Sequence, residues 1–358
     1  MSLTKTALIM AGGRGERFWP RSRKNLPKQF LSFYDDDKTL IQRTVDRIIP
    51  LIRPEDIFVA TGEEYTHLVK EQLPMIPEGN ILVEPVGRNT APCIGLAATH
   101  IFNRYGEALM YIFPSDHLVQ YESIFREALS DAAEVAEEGD HIVTIGIIPQ
   151  YPETEYGYIR FNPAQRKGRA FKAEEFVEKP DLRAAKEYLS SRQYLWNSGI
   201  YIWKTSAILR AMECYQPELA AGMDRIGRSI GTPDYYDVLR KEFSAFPNVS
   251  IDYGVMEKLS NLYCVVGDYG WDDLGSWQSV SRVQVPDEKG NVVTGNIVLI
   301  DTNQCIIRGG KRLIAAVGVK DMVIVDEDDA LLICSKENTG KIRRVQEQLR
   351  ARDMEKYL

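Results

Sequence analysis

The chain has 358 residues, 44% of them hydrophobic and 27% charged, and its 44 basic and 51 acidic residues leave a net charge of −7. That length and balance predict a water-soluble globular protein with one large and one small domain. They exclude a dedicated nucleic-acid binder, because no basic tail or stripe offsets the acidity, and no run approaches the 18 apolar residues of a membrane span.

The first strand signal covers 6–10, so no signal peptide is expected ahead of it. Strands are then predicted over 57–61, 80–83, 108–113 and 141–148. Helices are predicted over 40–49, 64–72, 91–105 and 125–138. Apolar strands alternating with helices imply a parallel α/β sheet with ligands beyond the carboxyl ends of its strands. From 156 to about 277 the pattern is mixed. Hairpin-like segments at 158–161, 173–177 and 198–203 and helices at 182–190 and 206–212 read as an insertion walling the cleft. A linker is expected over 284–290. Short strands follow at 292–293, 297–300, 305–308, 313–317, 322–326 and 331–334, with turns every few residues, as in a coiled β-structure. A charged helix over 339–356 closes the chain. The domains are accordingly set at 1–285 and 286–358.

The most telling motif follows the first strand. Ala11, Gly12, Gly13, Arg14, Gly15 and Arg17 are followed by Pro27-Lys28-Gln29-Phe30. Glycines let backbone N–H groups approach a phosphate, arginine adds bidentate donors, and lysine adds a point charge. The Walker pattern is absent, and the dinucleotide pattern fails at Phe18. A nucleoside triphosphate is the ligand this loop suits. The competing reading is a plain strand-to-helix turn.

Pro114-Ser115-Asp116-His117 follows another strand, and Asp116 is placed to hold Mg²⁺. Gly270-Trp271-Asp272-Asp273-Leu274-Gly275 offers a second carboxylate, and one or two carboxylates plus substrate phosphates suit that ion. For both, a capping turn competes. Glu84-Pro85-Val86-Gly87-Arg88-Asn89-Thr90-Ala91 fits either base and phosphate recognition or a helix N-cap. Glu178, Lys179 and Asn197 have the chemistry for sugar hydroxyls and a phosphate, and Gly157 and Asp252 lie in segments suited to complete the pocket. Five scattered cysteines without a Cys-x-x-Cys pair suggest reduced thiols in a cytoplasmic protein. Four histidines, only His117 in a motif, argue against a hydrolase built on nucleophile and histidine.

These motifs, in this order, resemble the sugar-1-phosphate nucleotidyltransferase family, and within it the guanylyltransferase branch acting on mannose 1-phosphate. The resemblance spans the whole chain. It implies a Rossmann-like, mostly parallel, GT-A-like catalytic domain and a small C-terminal left-handed β-helix-like domain with a terminal helix, often supporting a homodimer. It implies GTP and mannose 1-phosphate as substrates and GDP-mannose and pyrophosphate as products. Arg14, Arg17 and Lys28 become the catalytic cations, and Mg²⁺ falls to Asp116 and to Asp273 rather than Asp272. The nucleotide falls to Ala11, Gly12, Gly13, Gly15, Glu84, Pro85, Arg88, Asn89, Thr90, Ala91 and Ser115. The sugar phosphate falls to Gly157, Glu178, Lys179, Asn197 and Asp252. Many bacterial relatives continue into a mannose-6-phosphate isomerase domain, so isomerase activity is not expected of a chain stopping at Leu358. Another hexose 1-phosphate, or a catalytically silent nucleotide-sugar sensor, are the alternatives. A glycosyltransferase would need an Asp-x-Asp motif at a strand end.

Overall fold

A computed structural model describes residues 3–13, 15–34 and 36–358, the side chain of Val283 excepted. By their contacts the residues form two compact units, neither continuous in sequence. One comprises residues up to Gly12, 45–114 and 119–271; the other comprises 13–44, 115–118 and 272–358.

The first unit is built on a nine-stranded sheet. Its strands are β1 (Thr4–Met10), β2 (Ile57–Gly62), β3 (Ile81–Glu84), β4 (Ala108–Pro114), β5 (Ile142–Ile147), β6 (Tyr158–Lys167), β7 (Ala170–Val177), β8 (Tyr194–Lys204) and β9 (Leu262–Gly267). They lie in the order β3-β2-β1-β4-β8-β5-β9-β7-β6. β3, β2, β1 and β4 run parallel, as do β5 and β9. The near-continuous apolar runs of β1, β4 and β5 are what strands buried on both faces require.

The segment expected to stand apart as a wall instead joins this sheet. β8 runs antiparallel between β4 and β5, and β6 pairs with both β7 and β8. Tyr201, Ile202 and Trp203 of β8 are fully buried. Their burial explains why the strand fills the centre of the sheet rather than its margin.

The helices are α1 (Leu40–Ile48), where the chain passes between the units, then α2 (Thr66–Gln72), α3 (Thr90–Tyr105), α4 (Glu122–Glu137), α5 (Leu182–Ser191), α6 (Thr205–Tyr215), α7 (Pro217–Ser229), α8 (Tyr235–Ala245) and α9 (Ile251–Gly254). α3 packs on β1 and β4, and α4 on β5, β8 and β9; α6, α7 and α8 cluster with α3. Sequence patterns do not single out α7, α8 or β9.

The second unit holds the rest of the glycine-rich loop, α10 (Trp277–Val283), six short strands and α11 (Ile342–Ala351). The strands are β10 (Val292–Thr294), β11 (Ile297–Ile300), β12 (Ile306–Arg308), β13 (Ile314–Val317), β14 (Met322–Asp326) and β15 (Leu331–Ser335). β10, β12 and β14 form one parallel ladder and β11 and β13 another; β15 returns antiparallel on β14. Alternate strands joining separate ladders make a coil, with Cys305, Ile307 and Ala316 inside. Phe18, Phe33, Trp277, Val292, Ile306 and Ile342 form this unit's larger core. α11 is shorter than its charged sequence suggests. It begins after a 3₁₀ segment, Lys336–Lys341, and ends before Asp353 at φ +53°.

Candidate active site

In the second unit, the loop after β1 turns back on itself at Gly15, whose φ is +60°. A Cβ there would lie 2.3 Å from Lys28 Cβ. Only glycine admits both the left-handed conformation and that approach. The turn therefore presses Lys28 into a buried place, 5% exposed. Its ammonium donates to Asp116 Oδ2 at 2.8 Å and to the Asp273 carbonyl at 2.7 Å. Lys28, Asp116 and Asp273 thus converge, together with Gly15, Arg17 and His117, on one cleft of about 560 Å³. Burial acts to raise the Asp116 pKa, but the charges of Lys28 and His117 and the lysine hydrogen bond outweigh it. The carboxyl is held below its ordinary value.

The two adjacent aspartates have different fates. Asp272 is 7% exposed, accepts from Arg282 Nε at 2.6 Å and takes the Leu274 amide on Oδ1. Asp273 lines the cleft, its Oδ1 accepting the Gly275 amide at 2.9 Å. Arg17 also lines the cleft and reaches the Gly275 carbonyl at 3.5 Å. Arg14 lies outside the described residues. Ser115 is buried, and its carbonyl accepts the Thr44 hydroxyl.

In the first unit, the predicted residues form two groups. Around the β3–α3 junction, Glu84 is 8% exposed, and a Cβ on Gly12 would lie 3.1 Å from its Oε2. Burial pushes its pKa up to about 7. Asn89, at φ +68°, accepts the Thr90 amide on its side chain and caps α3. Thr90 Oγ1 accepts the Ile251 amide, and the Ala91 amide goes to the Val249 carbonyl. Arg88 donates to the Ser244 carbonyl. Ala11 exchanges its backbone groups with Ala60 and Thr61 at the end of the sheet. The capping reading of this segment is therefore present in the structure, and Glu84 is its buried carboxylate.

The second group centres on Asn197. Its Nδ2 donates to Tyr201 Oη at 2.8 Å and to Asp252 Oδ1 at 3.1 Å; its Oδ1 lies 3.1 Å from Thr144 Oγ1. Tyr201 donates to Asp252. The Asn197 amide meets the Gly157 carbonyl at 2.8 Å. A Cβ on Gly157 would come within 2.6 Å of Glu178 Oε2, so a larger residue would displace that carboxylate. Lys179, at φ +48°, pairs with Glu178 at 3.3 Å. Burial, then the Asp252 charge, push Glu178 up to about 7, against the pull of Lys179. Burial also raises Asp252 above its ordinary value, despite the Tyr201 hydrogen bond.

Sequence reasoning did not select Tyr201, Thr144, Glu16 or Arg343. Tyr201 carried a signal: it stands four residues after Asn197 on one strand, where alternate residues share a face. Glu16 and Arg343, both lining the cleft, are 327 positions apart, and no local pattern joins them.

The sequence profile described as nucleotidyl transferase matches residues 6–290. The chain belongs to that family. A second profile, the MannoseP isomerase/GMP-like beta-helix domain, matches residues 295–349, the coiled strands and most of α11. The chain is 36% identical over 355 residues to a mannose-1-phosphate guanylyltransferase of Klebsiella pneumoniae, covering 98% of this chain and 75% of that protein. It is 36% identical over 361 residues to the Salmonella montevideo protein of the same description, covering 99% and 75%. A crystal structure from Thermus thermophilus, described as a mannose-1-phosphate geranyltransferase, superposes with a TM-score of 0.89 at 34% identity, covering 97% of this chain and all of that one.

Family membership implies transfer assisted by a divalent cation. The donor set fits a hard cation: Asp116 is kept ionised and Asp273 shares its cleft. Among the described residues no three His, Cys, Asp or Glu side chains cluster as a ready-made metal cage. Two carboxylates, with substrate phosphates supplying further oxygens, are the arrangement magnesium favours. Among the described residues no helix is long and apolar enough to cross a membrane.

Proposed function

We propose that the protein transfers GMP from GTP to mannose 1-phosphate, forming GDP-mannose and releasing pyrophosphate. Lys28 carries this reading: a buried ammonium, fixed by Asp116 and the Asp273 backbone at the foot of a glycine-rich loop. The names of the 36% identical relatives supply the sugar and the base.

In this reading an oxygen of mannose 1-phosphate attacks the α-phosphorus of GTP. The bond to the β-phosphate breaks in line, and its electron pair leaves on pyrophosphate. A phosphate monoester with a second pKa near 6 is mostly a dianion at neutral pH, so no histidine base is needed. Catalysis then consists of positioning and charge stabilisation. Lys28 serves the α-phosphate and the sugar phosphate, and Arg14 and Arg17 serve the β- and γ-phosphates. The amides of Gly12, Gly13 and Gly15 cradle the nucleotide. Asp116 and Asp273 would hold Mg²⁺, which supplies charge neutralisation to the phosphates when bound.

Base and nucleoside recognition falls to Ala11, Glu84, Pro85, Arg88, Asn89, Thr90, Ala91 and Ser115. The Glu84 carboxylate suits the adjacent N1–H and N2–H₂ donors of guanine. Glu178 and Asn197 take sugar hydroxyls, Lys179 takes the sugar phosphate, Gly157 leaves the space, and Asp252 orients Asn197. We assign the catalytic domain to 1–285 and the β-helix-like domain to 286–358. Reduced cysteines support a cytoplasmic location. The exposed Val298, Ile300 and Val317 on the paired strands β11 and β13 support a homodimer.

The test is pyrophosphate release by purified protein with Mg²⁺, using GTP, ATP, UTP or CTP against mannose or glucose 1-phosphate. Release confined to GTP with mannose 1-phosphate is expected. Release with another pair moves the substrate, and none with any pair overturns the enzyme in favour of a silent sensor.

A further inference from the structure

Helix α11 sets two arginines against one carboxylate. Arg343 Nε lies 3.2 Å from Glu16 Oε2, and Arg350 Nη2 lies 3.0 Å from Glu16 Oε1. Between them, Gln346 Nε2 donates to the Glu16 carbonyl at 2.9 Å. Positions 343, 346 and 350 share one helix face. Ile342 and Leu349 fasten the helix to the core of the second unit, so this face is held over the short 3₁₀ turn, Glu16–Phe18, that follows Gly15.

The two arginines differ in one respect. Arg343 lines the cleft with Lys28, Asp116 and Asp273, and Arg350 does not. Two guanidinium groups on one carboxylate leave one positive charge in surplus. Burial acts to raise Glu16, but its hydrogen bonds to Arg343 and Arg350 outweigh it and keep the carboxyl below its ordinary value. The Arg343 side chain is 67% exposed. An ion pair so exposed to water is weak and readily exchanged. A guanidinium released from it presents paired donors matched to phosphate oxygens.

We propose that Arg343 is a ligand for the leaving pyrophosphate portion of the nucleoside triphosphate. On binding, it exchanges Glu16 for β- and γ-phosphate oxygens, while Arg350, which does not line the cleft, stays on Glu16 and makes no contact with the substrate. The inference rests on the proposed nucleotidyl transfer and adds a substrate contact supplied from the helix that follows the coiled strands.

The pair of arginines provides its own control. R343Q and R350Q are made in the full chain, and KM is measured for GTP and mannose 1-phosphate forwards and for pyrophosphate in reverse. Calorimetry with magnesium pyrophosphate measures binding directly. R343Q is expected to weaken GTP and pyrophosphate by about tenfold or more, as loss of a charge-assisted contact does, with the mannose 1-phosphate KM within about twofold. R343K, keeping the charge without the fork, falls between. R350Q stays within about threefold throughout. Equal losses in R343Q and R350Q would assign both residues to holding Glu16 and overturn the proposal, as would an R343Q protein indistinguishable from wild type. A folded wild type that transfers no nucleotide would instead overturn the functional reading, while calorimetry still reads the Arg343 contact.

Discussion

Around Lys28 a carboxylate keeps its charge, whereas around Glu84 and Glu178 burial works to remove it. Asp116 is held below its ordinary value because an ammonium lies 2.8 Å away. Glu84 is pushed up to about 7 by burial; Glu178 has Lys179 beside it but also Asp252, and reaches about 7 as well. The lesson is a division of chemical labour. Fixed, paired charges suit phosphates whose charge shifts during the reaction. Carboxylates poised near neutrality suit neutral partners, the hydroxyls of a sugar and the N–H donors of a base, and bind them best once ionised.

The largest expected effect is at Lys28. Lys28→Ala should lower kcat by about a hundredfold to a thousandfold, the scale of losing a preorganised transition-state charge, while circular dichroism stays native. A folded variant with near-normal turnover would erase the distinction between the two regions.

The adjacent aspartates come next. Asp273→Asn should cost about tenfold or more in kcat with little change in melting temperature. Asp272→Asn should do the reverse, losing about 1–3 kcal/mol of stability through the Arg282 and Leu274 contacts. Paired kinetics and thermal melts separate them, and equal effects would break the register of the motif.

The smallest effect is the pH dependence. Glu178 accepts sugar hydroxyls more strongly once it has lost its proton, so KM for mannose 1-phosphate should fall as pH rises through about 7. Glu178→Gln should raise that KM and remove the part of the slope not due to the substrate's own phosphate. Stability runs the opposite way. A carboxyl raised on folding contributes stability below its unfolded value of 4.5 that is lost as pH rises through about 7. Asp116, lowered on folding, contributes above its unfolded value of 3.8 and loses that as pH falls through its folded value. Melting temperatures of wild type, Glu84→Gln and Glu178→Gln from about pH 4.5 to about pH 7 measure the first part; an unchanged slope in both variants would contradict it.

Local patterns carry much of the fold. The strand at 322–326 is legible because four apolar residues run into an acidic turn, and it matches β14 residue for residue. The glycine-rich loop and both aspartate turns are legible because their residue types have few other uses together. What escapes depends on distance. β8 pairs with β4 across some ninety positions, so its place inside the sheet has no local trace. α11 reads as longer than it is, since its charged tail has helical composition but the chain leaves the helix at Arg352. Tyr201 looks like one more core aromatic until its hydroxyl is seen between Asp252 and Asn197. Arg343 looks like one more solvated charge until the fold sets it on Glu16.

The most direct test of the central claim is phosphorus NMR of GTP, mannose 1-phosphate and Mg²⁺ incubated with the protein. The account predicts loss of the monoester signal, growth of the paired diphosphate signals of GDP-mannose, and pyrophosphate in equal amount. GDP with inorganic phosphate, or pyrophosphate without a sugar diphosphate, would contradict it.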